Sequence, residues 1–177
     1  MTRAELEHAI RAACDVAGDT ELYVFGSQAI LGQYPDAPEA LRQSVEADVM
    51  PKNKPERIDA IDGALGELST FHRTFGFYVH GVSLQSAVLP GQWEDRLCEV
   101  RNENTRNCTG WCLEGHDLAA SKLVAFRERD RNFVRVLLSE GLVHEDTLVA
   151  RIKALRIPLA EQARLADWVA KTCQELE

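Results

Sequence analysis

Leu22-Tyr23-Val24-Phe25-Gly26-Ser27, followed downstream by Glu46-Ala47-Asp48-Val49-Met50, decides how this chain is read. Apolar, β-prone residues running into Gly26-Ser27 predict a short strand over 22–25 that turns into a helical stretch over 28–33. The second segment predicts a strand over 47–50, stopped by Pro51. Side chains alternate faces along a strand, so Glu46 and Asp48 point the same way. Two neighbouring carboxylates repel unless water solvates them or a divalent cation sits between them. Magnesium takes a few carboxylates plus substrate phosphates. Gly26 lets a phosphate approach the backbone, a following helix N-terminus offers N–H groups, and Ser27 adds a hydroxyl donor. Spacing alone leaves two readings open: a phosphate and ion site, or a glycine turn beside a solvated acid pair.

Working outward, Thr2 caps a helix over 2–17 whose apolar positions Leu6, Ile10, Ala13 and Ala17 recur at helical spacing before Gly18-Asp19. Pro35 and Pro38 mark a loop, and residues 40–43 form a helical turn. Ile58, Ile61, Leu65 and Leu68 form one stripe of an amphipathic helix over 56–68. Phe75, Phe77, Tyr78 and Val79 are β-prone, and residues 87–89, 97–100 and 110–113 are further strand candidates. After Gly115 the texture is helical: residues 117–141, bent near Arg127, then 145–155 and 159–176, separated by Pro158. Strands first and helices last predict an α+β fold. Its expected division is a core over residues 1–115 and a helical C-terminal subdomain over 116–177 packed on that core.

The 177 residues are 45% hydrophobic and 27% charged, which excludes a disordered chain. A chain of this length buries roughly two-thirds of its unfolded surface and needs no disulfide or metal staple. With 20 basic against 28 acidic residues the net charge is -8, which argues against a general nucleic-acid coat but not against a local basic cleft. No apolar run approaches the ~20 residues of a membrane span. The opening MTRAELEHAI is charged throughout, so a cytoplasmic location is expected. The five cysteines have no regular spacing, and most are expected as reduced thiols. Cys108, Cys112 and His116 lack a fourth ligand for a structural zinc.

The order strand, Gly26-Ser27, helix, then Glu46-Ala47-Asp48 resembles the nucleotidyltransferase superfamily with the DNA polymerase β-like core. The segment HDLAASKLVAFRERDRNFVRVLL, residues 116–138, resembles the downstream block of AbiEii-type nucleotidyltransferases, which include type IV toxin–antitoxin toxins. There a helical lysine is followed by a basic turn and an aspartate, and Lys122 and Asp130 match. The stretch GFYVHGVSLQSAVLPGQWEDRLCEV is similar to uncharacterised bacterial proteins grouped with these. The resemblance implies a small mixed β-sheet core. Gly26 and Ser27 would bind a nucleoside triphosphate, and Glu46 and Asp48 would hold Mg2+. Lys122, Arg127, Arg129 and Asp130 would serve the phosphates.

It further implies transfer of NMP to an RNA, such as tRNA, or to a protein acceptor, with a cognate antitoxin or toxin as partner and no membrane. Two departures stand out. Glu46 replaces the usual aspartate, and the third carboxylate of the superfamily has no match. His80 or Gln85 is expected at its strand position, with His80 able to serve as base while neutral. The alternative is a catalytically degenerate binding, antitoxin or regulatory protein.

Lys122 also stands out without the resemblance. Leu118, Ala119, Leu123, Val124 and Ala125 around it are apolar, so its ammonium requires a partner or ligand, and Asp130 is one candidate. Arg127, Arg129, Arg131 and Arg135 extend the cation cluster, either toward phosphates or as a solvated face paired with Glu128 and Asp130.

Overall fold

The computed structural model describes residues 1–176. It divides into two compact units, one of Met1–Ser86 with Leu97–Glu114, the other of Ala87–Arg96 with the helical stretch from Gly115 onward.

The first unit opens with α1 (Arg3–Ala17). Thr2 Oγ1 accepts from the Glu5 N–H and the Glu5 carboxylate accepts from the Thr2 N–H, a reciprocal cap that satisfies two otherwise orphaned donors. Gly18, at φ 63°, closes the helix in the left-handed region. A mixed five-stranded sheet follows, in the order β3-β2-β1-β5-β4: β1 (Glu21–Phe25), β2 (Glu46–Pro51), β3 (Tyr78–Gly81), β4 (Cys98–Val100) and β5 (Thr109–Cys112). Strand β1 runs antiparallel to β2 and parallel to β5, and β2 runs parallel to β3. This is a small α+β fold.

The parallel β2–β3 pair requires a crossover, supplied by α3 (Ile58–Leu65) and α4 (Thr70–Phe75). Leu22, Val24, Ala47, Val49 and Val79 are fully buried, as are Leu6 and Ile10 of α1 and Ile61 of α3. Their strand neighbours Tyr23, Glu46, Asp48, Tyr78 and His80 are half-buried or exposed, so the alternation gives the sheet a second, polar face.

Several local expectations are corrected. Strand β2 runs through Pro51, which pairs with Leu22 at the strand end. Helix α3 stops at Leu65 before Gly66, and Leu68 lies outside it at φ 65° and 71% exposed, so it takes no part in the apolar stripe. Phe75 ends α4, which Ser69 caps and Gly76 closes, rather than opening a strand. The helical stretch after Ser27 is a 3-10 turn (Ser27–Ala29) leading into the single-turn α2 (Ile30–Gln33), too short for a helix macrodipole.

In the second unit, residues 87–89 form no strand and follow a 3-10 turn (Leu84–Ser86) of the first. The helices are α5 (Gly115–Ala125), α6 (Glu128–Ser139), α7 (Glu145–Lys153) and α8 (Leu159–Leu176). The expected bent helix is two, because Phe126 takes φ 51° between them. Leu118, Leu123, Val134, Leu137, Leu148, Ile152, Leu165 and Val169 form the core, each at most 2% exposed.

Candidate active site

Strand register assembles the site. Asp48 on β2 stands opposite Phe25 on β1 and opposite His80 on β3, and Glu46 stands opposite Tyr78. Directly opposed residues project on the same face, so Glu46, Asp48, Tyr78 and His80 form a small square. His80 Nδ1 lies 3.1 Å from Glu46 Oε1 and 3.3 Å from Asp48 Oδ1. Each of these residues offers one ligand atom within 4.8 Å of the other two. Among the described residues this is the group of three or more acidic, histidine or cysteine side chains able to hold a metal ion. Cys108, Cys112 and His116 form no such group among them.

Gly26, just past the end of β1, has φ 64° and ψ -173°, a region open essentially only to glycine. A Cβ there would stand 2.0 Å from Asp48 Oδ2. The Asp48 carboxylate therefore lies against the Gly26 backbone, at the start of the turn that carries Ser27. On the opposite side, β3 is pinned to α3. Asp62 Oδ1 accepts from the Gly81 N–H at 2.7 Å, and a Cβ on Gly81 would stand 2.3 Å from the Ile58 carbonyl oxygen. Glycine at position 26 leaves room for the Asp48 carboxylate, and the contacts at Gly81 seat the strand that carries His80.

His80, not Gln85, takes the position across from Asp48; Gln85 belongs to the 3-10 turn after the strand and is exposed. The side chains of Glu46, Asp48 and His80 keep 34%, 25% and 48% of their exposure, so water and a ligand reach them. Burial pushes the Tyr78 phenol above its ordinary pKa, and the charges of Glu46, Glu67 and Asp48 and its hydrogen bond to Glu46 push the same way. Tyr78 thus stays protonated and orients Glu46. Sequence reading placed Tyr78 only as a strand aromatic; its alternation with His80 was the available signal.

The other expected residues lie in the helical unit. Lys122 on α5 has 14% side-chain exposure and Asp130 on α6 has 1%. Lys122 Nζ sits 3.5 Å from Asp130 Oδ1 and 4.7 Å from the centre of the Phe133 ring. Arg127 Nε reaches Asp130 Oδ2 at 2.6 Å. Asp130 is thus the partner that the apolar surroundings of Lys122 require, and it orders Lys122 and Arg127 together. Arg129 is exposed.

The DUF6036 family, described as nucleotidyltransferases of unknown function, matches residues 4–171. The chain belongs to this family. No curated protein and no solved structure matches it.

Within this DUF6036 protein the match spans every strand and both glycine contacts, so the acid pair and its neighbours fall inside the shared region. Nucleotidyltransferases generally use divalent metals, and Glu46, Asp48 and His80 fit one: two carboxylates and an imidazole converge on a face open to ligand. No helix among the described residues is long and apolar enough to cross a membrane.

Proposed function

We propose that the chain transfers NMP from a nucleoside triphosphate to a hydroxyl of an RNA or protein acceptor, with Mg2+ able to support the reaction. The observation that carries this is the Glu46, Asp48 and His80 group beside Gly26-Ser27, in a nucleotidyltransferase family member. Glu46 and Asp48 hold the ion, which would neutralise phosphate charge when bound. Ser27 and the Gly26 backbone receive the triphosphate. The acceptor oxygen forms a bond to the α-phosphorus as the bond from that phosphorus to the bridging oxygen of the β-phosphate breaks. Pyrophosphate leaves with the bond electrons, and the hydroxyl proton passes to His80 or to water.

Lys122, Arg127 and Arg129 are assigned to the charge of the phosphates, and Asp130 to ordering the first two. A place in a toxin–antitoxin pair, in the cytoplasm, accompanies the reading, because the Lys122 to Asp130 block resembles AbiEii-type enzymes. The imidazole in place of a third carboxylate favours one other reading, a binding protein that keeps nucleotide but not turnover.

Pyrophosphate release with each of the four NTPs, with and without RNA, separates the two. Asp48→Asn should lower metal-dependent transfer by about 100-fold or more while leaving the melting temperature unchanged or raised, since it removes a repelling charge. Equal rates in wild type and variant would sink the proposal. Nucleotide binding without pyrophosphate release in the wild type would favour the binding protein.

A further inference from the structure

The donor set itself carries information about the ion. A nucleotidyl-transfer site built only from carboxylates presents oxygen alone, which suits Mg2+. This one places an imidazole nitrogen 3.1 Å and 3.3 Å from the two carboxylate oxygens. Neighbouring donors on an octahedral ion with bonds of about 2.1 Å stand about 3.0 Å apart. Nδ1 is therefore already at the separation of a ligand sharing one ion with Glu46 and Asp48.

The strand that carries the ring is held on both sides. His80 is in register with Asp48, and the strand behind it is tied down through Gly81. Mg2+ keeps oxygen ligands and sheds water reluctantly. Imidazole suits first-row transition ions, whose affinity for nitrogen donors rises along the series from Mn2+.

We infer that His80 is a selectivity-determining ligand: the Glu46, Asp48 and His80 group takes Mn2+, or a neighbouring first-row divalent ion, in preference to Mg2+. This rests on the reading above that Glu46 and Asp48 hold the metal of the reaction; with Nδ1 on the ion, His80 keeps its proton on Nε2, so the acceptor proton passes to water rather than to His80. It makes Mg2+ a weaker ion that supports turnover only at higher concentration.

The test needs no turnover. Free Mn2+ in solution gives an electron paramagnetic resonance signal that is lost on binding, so full-length protein can be titrated with Mn2+ and then competed with Mg2+. The wild type should bind Mn2+ at least about tenfold more tightly than Mg2+, and spin-echo modulation should show a directly bound nitrogen. His80→Asn places an oxygen near the position of Nδ1, and His80→Asp supplies a carboxylate. Each should lower the Mn2+ to Mg2+ preference severalfold and remove the nitrogen modulation, with unfolding curves confirming that the variants fold. His80 is half-exposed, so at least one variant should fold. If both ions bind and the preference is the same in wild type and variants, the inference fails while the metal site stands. If neither ion binds the wild type at millimolar concentration, the metal site falls and the inference falls with it.

Discussion

Asp117 in the helical unit and Asp48 in the sheet unit are both acids on regular elements, and the chain surrounds them differently. Asp117 is fully buried. Arg96 grips it with two hydrogen bonds, Nε to Oδ2 at 2.8 Å and Nη2 to Oδ1 at 3.0 Å. Arg151 adds an ion pair at 3.0 Å. Asp130 follows the same pattern with Lys122 and Arg127. At Asp48 the neighbour across the ladder is an imidazole, the next acid along its own strand faces the same way, and a quarter of its side chain stays exposed. Acids of the first kind are permanently satisfied by protein cations and act as fasteners. Acids of the second kind gather negative charge at an open surface, an arrangement suited to an ion that comes and goes.

The largest effect that distinguishes the two is on folding. Asp117→Ala leaves two guanidinium groups facing an empty acid position, and removing one partner of such a buried group costs about 3 kcal/mol or more. Urea unfolding should show that loss, against no loss for Asp48→Asn. A change below about 1 kcal/mol at Asp117 would break the contrast, because it would mean that both acids are loosely held.

A smaller effect should appear at Gly26. Alanine there meets Asp48 Oδ2 at 2.0 Å and must hold a backbone conformation that costs about 1–3 kcal/mol. Gly26→Ala should therefore lower stability by that amount and weaken Mn2+ binding together, since the new methyl displaces the Asp48 carboxylate. Weakened stability with unchanged ion affinity would separate Gly26 from the site.

Much of this contrast was legible from sequence, for local reasons. Strands β1 and β2, the capped helix α1 and the terminal helix α8 follow from apolar periodicity and nearby caps, and Glu46 and Asp48 share a face because a strand has period two. Lys122 announced its need for a partner because its own helix is apolar, and Asp130 lies one helix further on. Register between distant strands was not legible. Nothing local says that His80 rather than Gln85 faces Asp48, or that Tyr78 meets Glu46. Nor does a local pattern reveal the fastening of Asp117, whose arginines come from a 3-10 turn (Trp93–Arg96) before the sheet ends and from a helix after it. Gly66 ended α3 although the apolar stripe continued to Leu68, because the backbone after Gly66 turns away and leaves Leu68 at a positive φ.

The smallest expected effect concerns an acid of a third kind, satisfied by neutral donors. Asp19, 7% exposed, sits between α1 and β1. It accepts from the backbone N–H groups of Thr20 at 2.7 Å, Glu21 at 3.2 Å, Asn53 at 2.8 Å and Lys54 at 3.1 Å, and from the Asn53 amide at 2.9 Å. Burial alone would raise its pKa, but the hydrogen bonds from Asn53, Glu21 and Thr20 outweigh it and hold the carboxyl below its usual 3.8. A folded pKa below the unfolded one means stability that is fully present above about pH 4 and drains away as pH falls through the folded value. Asp19→Asn keeps one acceptor oxygen but no charge. It should cost about 1 kcal/mol at pH 7, and the gap to wild type should close as pH drops well below 3.8. Urea titrations at pH 7 and pH 2.5 measure this directly. A gap of the same size at both values would show that shape, not charge, holds the α1–β1 junction, and would leave the neutral-donor acid without its place beside the other two.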